Sequence, residues 1–122
     1  MKKTAIALGL MSMLVVTGSL FSVSSAEWEK WQIKVQGNTT QSNGEFTVAE
    51  LCHVKEYLSN RTSGLNEYIR NLKKIDNNSA RAQLIEQLLS FLASLTKREK
   101  ERFSKEIVVY QIRKMNPKAN CL

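Results

Sequence analysis

The side chains with the most reactive potential are Cys52, His53 and Cys121. A thiol beside an imidazole raises nucleophilic catalysis, but adjacent helical residues point about 100° apart, so Cys52 and His53 do not face each other as nucleophile and base. Redox chemistry at a cysteine pair usually wants a close CxxC spacing, and this sequence has none. One histidine with two distant cysteines is a poor zinc set, so neither a metal nor a cofactor is expected. The sequence holds no glycine-rich phosphate loop and no nucleophile-elbow serine, and its carboxylates are scattered among cations. It therefore reads as a non-enzyme. The chemistry left for the two sulfurs is a disulfide, Cys52 to Cys121, formed in an oxidising compartment.

That compartment is indicated by the amino terminus. Lys2 and Lys3 precede an uncharged run from Thr4 to Val16, and small residues follow, ending at Ser24-Ser25-Ala26 before Glu27. The run is too short to span a bilayer comfortably, and small side chains one and three places before a scissile bond suit signal peptidase. Residues 1–26 are thus expected to be a cleavable secretory signal of bacterial type, which sends the protein to the periplasm. The chain has 18 Lys and Arg against 11 Asp and Glu, a net charge of +7. Loss of Lys2 and Lys3 leaves +5. In the envelope such a surplus points to an acidic protein face, anionic membrane or cell wall as partner, with nucleic acid not expected.

The elements that would position these groups are helical. Residues 27–45 form an arm and linker: Trp28 and Trp31 lie three apart, and Gly37 to Gly44 is polar with glycine at both ends. Two readings of the arm stand open. Docked, its indoles cap the core; free, they join Lys30 and Lys34 as a contact point for a partner or membrane interface. The helical domain spans 46–122. Thr47-Val48-Ala49-Glu50 is a capping box that opens a helix running to about Arg61, with Cys52 on its buried side. A second helix covers Leu65 to Ile75, with a stripe of Leu65, Tyr68, Ile69, Leu72 and Ile75 and an outer face of Arg70, Lys73 and Lys74. A third, from Ala80 to Leu95, is apolar enough to be central. A fourth opens at the capping box Thr96-Lys97-Arg98-Glu99 and runs to about Met115, carrying Phe103, Ile107, Val108, Tyr110, Ile112 and Met115 inward. Its early KREKER run reads as a solvated face held by neighbouring ion pairs. Pro117 ends it.

The expected architecture is all-α: a small bundle of about four helices closed by one disulfide, preceded by the signal and the tryptophan arm. With Cys52 early and Cys121 at the end, this layout resembles that of several periplasmic proteins. Among them are the acid-stress chaperones of enteric bacteria and the immunity proteins that guard against peptidoglycan amidases delivered by rivals. The resemblance covers layout, and no site residue is carried over from it. The expected function is a non-catalytic exported protein that binds another protein, as inhibitor, immunity factor or accessory of an envelope assembly. A chaperone and a membrane- or cell-wall-binding factor are the alternatives. Residues combining size or charge with expected exposure, Trp28, Trp31, Arg70, Lys73, Lys74, Lys97 and Arg98, are the candidates for partner contact.

Overall fold

A computed structural model describes residues 24–38, 44–60 and 64–122. Most of the expected signal, residues 1–23, and the middle of the linker, 39–43, lie outside them. The described residues are helical, with no strand. The elements are α1 (Ser25–Gln36), α2 (Val48–Leu58), α3 (Leu65–Ile75), α4 (Ala80–Ala93) and α5 (Lys97–Arg102). A π-helical segment (Phe103–Val109) then leads into α6 (Tyr110–Met115). α5, the π segment and α6 follow one another without a break, so residues 46–122 hold the four expected rods and α1 adds a fifth.

Helix starts follow their side chains. Thr47 caps α2 and Thr96 caps α5, each in a reciprocal box with the glutamate three residues on, and Ser79 caps α4 through its hydroxyl. Each such cap satisfies amides that the helix itself leaves unpaired. α2 stops at Leu58, short of Arg61, because the backbone turns at Ser59 and Asn60, the latter with φ of 59°. The disulfide Cys52–Cys121 is formed, with Cα atoms 5.7 Å apart, and it fastens the tail beyond α6 to α2.

The arm is a docked helix, the first of its two open readings. Trp31 is only 2 % exposed and stacks on Phe91 of α4 at 5.9 Å; Lys30 and Lys34 lie over its ring. Trp28, partly buried, meets Phe103 edge-on at 5.3 Å under the Arg102 guanidinium. Burial of aromatic area accounts for this: each indole removes on the order of 200 Å² from water. Gln36 at the far end of α1 donates to the carbonyls of Glu106 and Ile107 in the π segment. The linker glycines are structural too. Gly37 closes α1 with φ of 84°, and Gly44 presses on the Val35 carbonyl so closely that a Cβ there would lie 2.1 Å from it.

Two inward assignments were displaced. Tyr110 is 57 % exposed because the π segment shifts the register of the last helix. An α-helix brings residues seven apart back to one face, which would pair Phe103 with Tyr110. The wider i→i+5 winding instead sets Phe103 above Val108 and Ile107 above Ile112, and it turns Gln111 inward in place of Tyr110. Ile75, in the last position of α3, is 87 % exposed, since α3 ends there before it can lie down on a neighbour.

Candidate functional site

Two clusters of polar side chains stand out, and they differ in kind. The first is internal. Glu50 on α2 is fully buried, yet its carboxylate accepts four hydrogen bonds, from the Thr47 amide at 2.9 Å, the Tyr68 hydroxyl at 2.7 Å, and Arg81 Nε and Nη2 at 2.7 and 2.6 Å. Arg81 also donates to the Glu45 carbonyl. Burial alone would raise the Glu50 carboxyl, and the bonds from Arg81, Thr47 and Tyr68 outweigh it, so its pKa lies below the ordinary 4.5. Burial and the bond to Glu50 raise Tyr68, and the bond to Glu50 raises Arg81. Every acceptor position of this carboxylate is taken by the protein itself, which makes the cluster a clamp joining α2, α3 and α4.

The second cluster is open to solvent. A groove of about 590 Å³ lies between the end of α2 and the start of the last helix. Leu58, Ser59 and Asn60 form one wall, and Lys97, Lys100, Glu101 and Ser104 the other, with Lys105 at its edge. Positions 97, 100, 101 and 104 fall on one helical face by their three- and four-residue spacing, and the Thr96 cap fixes where that face begins. Among the described residues Lys97, Lys100 and Lys105 enter no ion pair. Arg102 pairs with Glu106 at 3.5 Å, and Glu99 is occupied by the Thr96 cap. The KREKER run thus keeps one of its expected neighbouring ion pairs, at Arg102, while Lys97 and Lys100 have none among the described residues. One of its two carboxylates, Glu99, is turned to its cap, while Glu101 lines the groove beside Lys97 and Lys100.

The charge of the chain is distributed unevenly around this site. Residues 27–96 hold eight Lys and Arg and eight Asp and Glu, while residues 97–122 hold eight against three. The whole surplus of the expected exported form thus sits on the last helix and tail, and Lys97, Lys100 and Lys105 of that region line the groove. No known protein family, curated protein or solved structure matches this chain. Local geometry alone therefore carries the functional argument.

The residues singled out from sequence are spread over three regions. Cys52 and Cys121 are joined. Lys97 lines the groove, and Arg98 is exposed one residue on. Arg70 and Lys74 are exposed on α3, outside the groove lining. Lys73 is not available in the same way: its ammonium pairs with Glu86 of α4 at 2.8 Å. Trp28 and Trp31 serve the core, which removes Trp31 and most of Trp28 as contact residues. Sequence reasoning passed over Lys100, Ser104 and Lys105. Their three- to five-residue spacing from Lys97 and Lys100 was the available signal. Glu50 was read as a cap alone, although its place four before Val54 and eight before Leu58 set a carboxylate on the buried stripe.

Gln111 is a different case. Both its side-chain polar atoms are buried without a hydrogen-bond partner, as is His53 Nδ1. Leaving such groups unpaired costs about 1–3 kcal/mol each. No helix of the described residues is long and apolar enough to cross a membrane.

Proposed function

We propose that this is a non-catalytic protein of the bacterial periplasm that binds another protein, as an inhibitor, immunity factor or accessory of an envelope assembly. The observation that carries the reading is the groove at the end of α2, lined by three lysines without ion-pair partners among the described residues. It is set on a frame tied by the disulfide, the two capping boxes and the Glu50–Arg81–Tyr68 clamp. A preorganised face loses little conformational freedom on binding, and that lowers the ordering cost of association. The disulfide is consistent with an oxidising compartment, and the amino-terminal pattern Lys2-Lys3 to Ala26 supplies the route there.

The test is affinity capture from envelope extract with the disulfide-intact protein, run beside the Lys97→Ala/Lys100→Ala double variant. One specific protein retained by the native chain and lost by the variant is the expected result. Failure to retain any specific partner would sink the reading, as would recovery of the uncleaved chain from cytosol with both thiols free.

A further inference from the structure

We infer that the groove between α2 and the last helix takes an acidic segment of a partner protein, its carboxylates on Lys97, Lys100 and Lys105 and an apolar side chain along the lysine stems. This rests on the reading of the protein as a partner binder and goes further by naming the chemistry of what is bound. The first support is charge. Residues 27–96 are balanced, and of the eight cations in residues 97–122, Lys97, Lys100 and Lys105 line this recess. A concave site lined by one sign of charge concentrates its field and raises the local population of opposite charge.

The second support is the makeup of the walls. The Ser104 hydroxyl and the Asn60 amide stand beside the lysines, and both can donate to carboxylate oxygens, whereas the Ser59 hydroxyl is given to the Lys55 carbonyl. Leu58 is turned into the core, and the aliphatic lysine stems give the apolar strip between the charges, which an extended or helical segment can cover with one side chain. Glu101 is the only carboxylate of the lining. It penalises a uniform polyanion and leaves a segment with separated carboxylates favoured.

The third support concerns the competing occupant. A lipid surface needs exposed apolar or aromatic side chains to insert; the two tryptophans are turned into the core, and the exposed Ile75 and Tyr110 lie outside the groove lining. A recess between two helix ends also suits a projecting segment better than a flat headgroup layer.

The test uses the disulfide-intact protein and fluorescence anisotropy with a labelled peptide of alternating glutamate pairs and leucine. Its glutamine-for-glutamate counterpart, polyphosphate and vesicles of phosphatidylethanolamine and phosphatidylglycerol are the comparison probes. The glutamate peptide is expected to bind at low salt and to weaken steeply as salt rises, because exposed charges are screened beyond about 10 Å at 0.1 M. Lys97→Ala, Lys100→Ala and Lys105→Ala should each weaken it by roughly 2- to 5-fold, and the triple variant by more than about 10-fold. Arg70→Ala/Lys74→Ala, away from the groove, should leave it within about 2-fold. Equal binding of the glutamine peptide, or an unchanged triple variant, overturns the inference. Tighter lysine-dependent binding of polyphosphate or of vesicles also overturns it, in favour of that anion. A captured partner whose contact segment lacks acidic residues would remove this inference and leave partner binding standing; capture of nothing would remove the function itself.

Discussion

Replacing Glu50 by alanine is expected to lower the unfolding free energy by about 3 kcal/mol, the low end of the cost of breaking a buried ion pair. The low end applies because the Arg81 side chain is 38 % exposed and can recover water once its partner is gone. For a domain of this size the loss corresponds to a fall in Tm on the order of 10–20 °C. Tyr68 would also lose the acceptor of its 2.7 Å bond, and the amide of Thr47 its cap. The same carboxylate sets an acid limb. Its folded pKa lies below the ordinary 4.5, so its contribution is fully present above that value and is lost as pH falls through the folded pKa. Urea unfolding as a function of pH should therefore show stability dropping below about pH 4.5 in the native chain and a flatter limb in Glu50→Gln. An Glu50→Ala variant within about 0.5 kcal/mol of native, or an unaltered acid limb, would show that the clamp is not where the three helices are joined.

Loss of the disulfide is the second large effect. The bond closes a separation of 69 residues, and on the chain-entropy model this constrains the unfolded chain by about 4 kcal/mol. Mild reduction, or the Cys52→Ala/Cys121→Ala double variant, should lower the urea midpoint and, because the unfolded chain without its cross-link is less compact, raise the slope. The tail from Asn116 to Leu122 is held by that bond, by three short-range backbone hydrogen bonds and by the packing of Ala119, so hydrogen exchange should rise there first. A reduced protein with the native midpoint would mean the bond contributes nothing to the fold.

The fold was legible in the sequence wherever local chemistry decides it. Thr47, Ser79 and Thr96 announce their helices through caps within three residues, and the bounds of α3 follow from the spacing of Leu65, Ile69 and Leu72. What escaped depends on partners distant along the chain. Nothing near Trp31 says that Phe91, sixty residues later, will stack on it. The π winding that turns Gln111 inward and Tyr110 outward has no local signature, and Gln36 of α1 is among the groups that meet it. The site was half visible. Lys97 could be named, but the groove needs the turn at Ser59 and Asn60 to face α5, and that is a tertiary arrangement. KREKER showed signs and not directions; the structure pairs Arg102 with Glu106, turns Glu99 to its cap and leaves the lysines on the groove side.

Amide hydrogen exchange on the complex with the captured envelope partner tests the docking claim most directly. New protection confined to the end of α2 around Leu58 to Asn60 and to residues 97–105, with the outer face of α3 around Arg70 and Lys74 unchanged, is the result this account predicts. Protection on α3 with the groove exchanging as in the free protein would contradict it.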